Sequence, residues 1–274
     1  MIAETFVILI GLLVQRAVTA ATVPKPDIGY GCGVHMPTEE QLELHRNLSI
    51  MEENNMDIDK RAPIYVDTYF HVVVDKEEER VKAGRTVLKK QLAVINIGFA
   101  PAKIFFNLRA IDWTVNPRWA IGLDVLTMKY QLHRGGRSSL NLYFISALPD
   151  VPGEKSKKKH LGICSFPDEV GRESEVVLDG CLVDVDTIPG GAWIPYDDGK
   201  TAIHEIGHWF GLLHTFQGGC DGSGDMVSDT PASASASVGC PEGRNSCPDL
   251  PGLDPIHNYM DYSNESVLCL AAEY

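Results

Sequence analysis

The alternation of apolar and polar positions divides the chain into strands and helices. Residues 63–75 and 105–114 alternate and are rich in β-branched and aromatic side chains, which predicts two strands. The nearly unbroken apolar run over residues 140–146 predicts a central strand that is buried on both faces. Residues 86–99 carry apolar side chains at helical spacing and should cross back over the sheet. Shorter strands at 161–166 and 180–186 are expected at the rim of the sheet.

A second helical pattern covers residues 200–214. Its apolar face, which should pack on a core, consists of Ile203, Ile206, Phe210 and Leu213. Thr201 is placed to cap the start of this helix, and Gly211 to end it, because glycine readily adopts a left-handed conformation. Strands, a crossing helix, more strands and then this helix predict an α+β fold with α/β character, a twisted mixed sheet backed by helices. After residue 218 glycine, serine, proline and aspartate dominate, which predicts an irregular segment.

The N-terminal residues have the pattern of a secreted precursor. Residues 6–14 are apolar but too short to span a membrane comfortably, and small residues follow, so residues 1–20 are predicted to be a signal peptide. Residues 21–61 are polar and predict a pro-segment with one helix over 38–53. This segment ends at Lys60 and Arg61, where a processing protease would cut. A solvated charge pair is the alternative interpretation of these two residues. The main domain then spans residues 62–274.

Composition narrows the compartment and the partners. With 274 residues, 44% hydrophobic and 22% charged, the chain suits one globular domain with short additions. A net charge of −13 disfavours nucleic acid and anionic membranes as partners. Seven cysteines in a secreted chain indicate disulfides with one cysteine left over. Glycosylation sequons at Asn47 and Asn264 agree with an extracellular location.

The candidate chemistry lies in the pattern H-E-x-x-H-x-x-G-x-x-H, which begins at His204. On a helix His204 and His208 share one face, with Cβ atoms roughly 6 Å apart. His214, at about 100° per residue, would point about 240° away from His208 if the helix continued, so the chain must turn at Gly211. Three imidazoles and an open position are typical of a catalytic zinc site, and Glu205 could reach a water beside the metal. Chance histidines are the alternative, which the eleven-residue pattern disfavours.

A methionine after such a motif is a further signature, and Met260 in the segment 256–262 provides it. With residues 187–191, 204–220 and 224–231, the chain resembles the pappalysin-type, cytophagalysin-like zinc metalloproteases of the metzincin clan, close to the secreted enzymes of fungi. The resemblance implies a metzincin-type zincin fold with a long active-site helix. It also implies an irregular, disulfide-linked C-terminal subdomain with a Met-turn, and a metalloprotease catalytic domain over residues 62–274.

The resemblance also implies roles for individual residues in a secreted zinc endopeptidase that hydrolyses peptide bonds. The zinc ligands would be His204, His208 and His214. Glu205 would act as general base and then acid, and Tyr262 would approach the zinc and stabilise the oxyanion. A core aromatic is the alternative role for Tyr262, and Met260 would form the Met-turn as a packing residue. The expected partners are protein or peptide substrates, with neither nucleic acid nor membrane, and we expect a monomer.

Cysteine pairing follows from the same resemblance. Four cysteines near the C-terminus allow three pairings. The resemblance favours Cys220–Cys247 and Cys240–Cys269, with Cys164–Cys181 as a third bridge. Cys32 in the pro-segment could then place a thiolate at the open zinc position and hold the enzyme latent, as cysteine switches do. A differently paired cysteine is the alternative.

Two further expectations concern the C-terminal part. A loop with three carboxylates could bind a structural calcium ion. The alternative is a solvated acidic loop. The carboxylates belong to Asp221, Asp225 and Asp229. Members of this family usually continue after Ser263 through a cysteine segment into another helix, whereas this sequence runs only to Tyr274. The alternative function is therefore a secreted zinc-binding pseudoprotease, inactive because of the shortened C-terminus.

Overall fold

The computed structural model describes residues 30–33, 38–53, 62–150, 159–167, 176–221 and 224–265. Its centre is a six-stranded sheet with the strand order β1-β5-β6-β4-β2-β3. The strands are β1 Tyr30–Cys32, β2 Ile64–Val74, β3 Ile104–Val115, β4 Ser139–Ile145, β5 Lys159–Cys164 and β6 Cys181–Asp184. The expected signal peptide, the pair Lys60 and Arg61, and Cys269 lie outside the described residues.

The sheet is mixed, as predicted, and its antiparallel part lies at one edge. Strands β3, β2, β4 and β6 are parallel to one another. β5 runs antiparallel to β6, and β1 pairs with β5 in parallel at the outer edge. β4 lies between β2 and β6 with every residue buried, which confirms the predicted central strand. β1, with three residues, was not predicted.

Five α-helices accompany the sheet in the described part of the chain: α1 Glu39–Glu53, α2 Arg85–Phe99, α3 Pro117–Ala120, α4 Val125–Leu132 and α5 Thr201–Trp209. Short 3-10 helices lie at Glu77–Val81, Ala100–Ala102 and Val185–Thr187. α1 begins with a reciprocal capping box, because Thr38 N–H donates to Gln41 Oε1 (2.8 Å) and Gln41 N–H donates to Thr38 Oγ1 (3.2 Å). The short helices α3 and α4 were not predicted. No helix among the described residues has the length and apolarity needed to cross a membrane.

Hydrophobic cores form on both faces of the sheet. On one face α2 and α5 pack on alternate residues of β2 and β4, with Leu88, Ile95 and Ile206 fully buried. On the other face α3 and α4 cover the intervening residues, including Val73 and Tyr143. Burial of Ile206 confirms that α5 directs its apolar face into the core, so its opposite face remains for the histidines.

The segment after α5 is held by specific cross-links. Its described residues from 211 to 265 contain no helix or strand. A disulfide joins Cys220 to Cys247, and Arg244 Nη1 pairs with the buried carboxylate of Asp254 at 2.7 Å. This arrangement agrees with the irregular C-terminal subdomain expected from the sequence.

The last described residue, Glu265, caps α5 from a distance of 64 positions in the chain. Its carboxylate accepts hydrogen bonds from the N–H of Thr201 (2.6 Å), the hydroxyl of Thr201 (2.9 Å) and the N–H of Asp198 (2.9 Å). The prediction that Thr201 caps the helix was therefore wrong. Thr201 is the first helical residue and donates to the cap, while the preceding Lys200 makes no side-chain cap bond.

This cap should make stability depend on pH. Burial raises the pKa of Glu265 from 4.5 to about 7, although the hydrogen bonds from Thr201 and Asp198 oppose the shift. The folded state then holds a proton that the unfolded chain has released, so the stabilising contribution is present below pH 4.5 and is lost as the pH rises through about 7. The unfolding free energy of the native chain relative to Glu265→Gln should fall by about 3 kcal/mol across this window.

Denaturant unfolding at a series of pH values would measure this difference. Glu78→Gln, which alters an exposed glutamate, serves as the control and should show no such change. A difference between native and Glu265→Gln protein that stays constant from about pH 4.5 to about pH 8 would contradict the prediction.

Candidate metal centre

The three predicted histidines converge on one point. α5 carries His204 and His208 one turn apart and ends at Trp209, and Gly211 follows in a left-handed conformation with φ of 98°. This confirms the turn predicted at Gly211, which brings His214 back to the helix. The Nε2 atom of His208 lies 3.1 Å from the Nε2 atoms of both His204 and His214.

The second ring nitrogens show why these imidazoles fit a zinc ion. His204 Nδ1 lies 2.6 Å from the carbonyl oxygen of Tyr259, and His208 Nδ1 lies 2.7 Å from that of Leu212. Because a carbonyl only accepts, each Nδ1 carries the proton and each Nε2 presents a lone pair. Lone pairs this close repel unless a cation lies between them. Zn–N bonds of about 2.0–2.1 Å in a tetrahedron separate nitrogens by about 3.3 Å, close to the observed spacing.

Burial keeps these imidazoles neutral, which is the form that binds metals. It lowers the pKa of His204 to about 4, although the hydrogen bond with Tyr259 opposes the shift. Burial likewise places the pKa values of His208 and His214 well below the usual value, with a smaller effect from the neighbouring imidazoles. The site is therefore ready to bind a cation without first losing protons.

The Glu205 side chain extends from α5 towards strand β5, and the residue is only 1% exposed. Burial raises its pKa to about 8, and a hydrogen bond with Cys32 opposes the shift. The Cys32 Sγ atom lies 3.6 Å from Glu205 Oε2. The Glu205 carboxyl group is therefore buried beside the imidazoles and in contact with the Cys32 thiol.

Cys32 brings a fourth donor to the imidazoles from the edge of the sheet. Its Sγ and one ring nitrogen from each of the three histidines lie within 4.8 Å of one another. Within the described ranges, no other group of three or more such side chains is close enough to share an ion. β1 holds Cys32 there by pairing with β5, and the Cys32 N–H donates to the Tyr262 hydroxyl at 3.0 Å.

Tyr262 and Met260 lie where the sequence pattern predicts a platform below the imidazoles. The Tyr262 hydroxyl is 3.2 Å from His214 Nε2. Met260 is buried below α5, where a Cβ atom on Gly207 would come closer than 3.0 Å to its sulfur. Met260 therefore packs against the helix backbone, and Tyr262 faces the candidate metal position.

Helix α1 covers the other side of the centre, a contact that the sequence did not predict. The His45 ring meets Phe166 edge-on with centroids 6.4 Å apart, and Phe166 meets His208 in the same way at 5.4 Å. The Ser49 hydroxyl donates to the Met226 carbonyl at 2.6 Å. β1 thus contacts the centre through Cys32, and α1 lies against it through Phe166.

A pocket adjoins the His204 imidazole and the Glu205 carboxyl group on the side of β1. Its lining includes Leu161 of β5, Tyr196, Lys200 and Tyr262, and it reaches Glu265 at the start of α5. A pocket beside a candidate metal and a buried carboxyl is the arrangement expected of a substrate-binding site.

The remaining candidate residues have varied surroundings. Disulfides join Cys164 to Cys181 and Cys220 to Cys247, the pairs implied by the resemblance. Cys240 is also disulfide-bonded, and its expected partner Cys269 lies outside the described residues.

The two predicted glycosylation sites differ in their surroundings. Asn47 is exposed on α1, whereas Asn264 Oδ1 accepts a hydrogen bond from Tyr196. The predicted calcium ligands Asp221, Asp225 and Asp229 form no shared cation site in the described part of the chain.

Known proteins resemble this chain over most of its length. The peptidase M43 family profile, described as "Pregnancy-associated plasma protein-A", matches residues 191–271. An "Extracellular metalloprotease" of Colletotrichum graminicola is 47% identical over 244 residues, covering 86% of this chain and 83% of the relative. "Extracellular metalloprotease 1" of Coccidioides posadasii is 46% identical over 239 residues, with the same two coverages. The solved structure "Mirolysin in complex with compound 9" shares the fold, with a TM-score of 0.58, 23% identity, and coverage of 77% of this chain and 87% of that chain.

Proposed function

We propose that this chain, which belongs to the peptidase M43 family of extracellular metalloproteases, cleaves proteins with a zinc ion held by His204, His208 and His214. The observation that carries the proposal is the convergence of three Nε2 atoms at 3.1 Å contacts. Two of these rings have their other nitrogen occupied by a backbone carbonyl, which fixes the tautomer that a metal requires.

The side chains around the imidazoles divide the work of peptide hydrolysis. A zinc ion held by the three histidines would polarise the scissile carbonyl and lower the pKa of a bound water towards about 7. Glu205 would accept the proton of the attacking water and later deliver it to the leaving amine, because its buried carboxyl group lies beside the imidazoles. The Tyr262 hydroxyl donates a hydrogen bond to the oxygen that gains negative charge.

Residues 21–61 form, in this proposal, a pro-segment that keeps the enzyme latent. Cys32 would supply a fourth ligand as thiolate, which leaves no position for water or substrate. β1 also occupies the edge of β5 beside Glu205, where an extended peptide would otherwise pair. Cleavage after Arg61 would allow strand β1, with Cys32, to leave the cleft.

The Cys32→Ser variant tests this function. We expect the unprocessed variant to cleave casein at least about 10-fold faster than the unprocessed native chain, because a serine hydroxyl binds zinc much more weakly than a thiolate. Chelation with 1,10-phenanthroline should abolish the activity and added zinc should restore it. The measurement is the initial rate with inhibitors of other protease classes present, together with the zinc content. Glu43→Gln, an exposed change in α1, is the control.

The outcomes separate the two parts of the proposal. If Cys32→Ser and the chain processed at Arg61 both bind zinc and neither cleaves protein, the pseudoprotease alternative gains support. If the processed chain is active but Cys32→Ser is not faster than the native chain, the enzyme assignment stands and the role of Cys32 is wrong.

A further inference from the structure

Gly162 in strand β5 lies directly against the side chain of Glu205. A Cβ atom at Gly162 would come closer than 3.0 Å to three atoms of that side chain, Cγ, Cδ and Oε1. Gly162 is not one of the glycines with positive φ, so its backbone conformation does not require glycine. What the position requires is the space that a side chain would fill.

The backbones on both sides of this contact are held in place, so an added Cβ atom would have to displace the Glu205 side chain. Gly162 pairs with Val183 in the antiparallel ladder of β5 and β6, and two positions further the disulfide Cys164–Cys181 links the same two strands at directly paired residues. The Cys181 sulfur is also 3.5 Å from the backbone carbonyl of Glu205. β5 is therefore fixed to the sheet and, through Cys181, lies against the helix that carries the carboxylate.

Gly162 also contacts the pro-segment at the open edge of the strand. Its carbonyl accepts a hydrogen bond from the Gly33 N–H at 2.9 Å, and Cys32 is its partner in the β1–β5 register. Gly162 thus lies against the buried Glu205 carboxyl group on its Cα side and binds an extended peptide through its backbone carbonyl.

We infer that Gly162 is a positioning residue for the hydrolysis proposed above, because its missing side chain leaves the space in which the Glu205 carboxylate stands beside the imidazoles. This inference rests on the proposed function. Gly162, a residue outside the zinc motif, would then determine the position of the Glu205 carboxylate. An alanine there displaces Glu205 while β5 and the three histidines keep their places.

The test is Gly162→Ala in the zinc-loaded full chain that also carries Cys32→Ser. We expect kcat to fall by at least about 100-fold, because displaced bases lose most of their catalytic effect, while KM changes less than about 3-fold. The zinc content should be unchanged. Gly136→Ala is the matched control, because a Cβ atom there meets nothing within 4 Å. It should keep the kcat of its parent.

Shortening the base supplies a second readout. Glu205→Asp withdraws the carboxylate by one methylene and should lower kcat about 100-fold beside glycine. In the presence of Gly162→Ala, the same change should cost less than about 3-fold, because the shorter side chain relieves the clash. This loss of additivity is not expected of a residue that only stabilises the fold.

The opposing results are distinct. Native kcat in Gly162→Ala, with Glu205→Gln inactive, would overturn the inference and leave the proposed function standing. Loss of zinc, or a fall in Tm of more than about 5 °C, would assign Gly162 to stability and overturn the inference as well. If the Cys32→Ser parent and the chain processed at Arg61 both hold zinc and neither cleaves protein, the proposed function and this inference both fall.

Discussion

Replacing Glu205 with glutamine is expected to lower kcat/KM for protein cleavage by about 10³-fold and to leave the zinc content near one ion per chain. Glutamine keeps the size of the side chain but cannot accept the proton of the attacking water, and general bases contribute about 10²–10⁴-fold. The proposed zinc ligands are the three histidine Nε2 atoms, which lie 3.1 Å apart in two contacts. The Glu205 carboxyl group contacts Cys32 and is not one of these ligands, so the variant should keep its zinc. The measurement combines initial rates on a fluorescent casein with metal analysis, both in the Cys32→Ser chain.

The control for this change is Glu78→Gln, the same substitution at an exposed position on the 3-10 helix Glu77–Val81. It should retain the rate of its parent. If Glu205→Gln keeps more than about a tenth of the parental rate, Glu205 does not act as the base.

Replacing His208 with alanine should remove the metal and with it all detectable cleavage. His208 is fully buried and lies at hydrogen-bond distance from both other rings, so its loss leaves two ligands and a cavity. Loss of hydrogen-bond partners behind metal ligands typically costs 10–100-fold in metal affinity, and loss of a ligand should weaken zinc binding by more than about 100-fold. Zinc after dialysis should fall below about 0.1 ion per chain.

Thermal unfolding gives an independent readout for His208→Ala. A metal that binds only the folded state raises Tm in the native chain, and this rise should disappear in the variant. His133→Ala, which changes an imidazole at the end of α4 behind the sheet, is the control and should keep both zinc and the rise in Tm. Zinc retention by His208→Ala would contradict the proposed ligand set.

Local patterns predicted the parts of the fold that depend on neighbouring residues. Helix α2 and strand β4 agree with their predicted spans within one residue, because helical spacing and an unbroken apolar run are properties of a short window. The same reasoning placed the turn at Gly211. It failed where the deciding partner is remote, as at Thr201, whose cap comes from Glu265.

The missed elements have the same physical explanation. β1 has three residues and exists through its pairing with β5, about 130 positions away, so no local signal could indicate it. The contact between Gly162 and Glu205 is also tertiary, and an isolated glycine in a strand pattern indicates only a close approach of unknown identity. By contrast, the histidine motif could be recognised from the sequence, because His204 and His208 lie on one helix and His214 follows directly after the chain turn at Gly211.

The hydrogen bond from Cys32 to Tyr262 joins residues 230 positions apart, and this separation has a consequence for the order of folding. Closing a long loop costs more conformational entropy than closing a short one, and chains generally fold from the N-terminus during synthesis. Cys32 is synthesised before Tyr262, so this contact can form only after nearly all of the described chain has been made. We therefore expect folding intermediates in which the central strands are paired but the contact between Cys32 and Tyr262 has not yet formed.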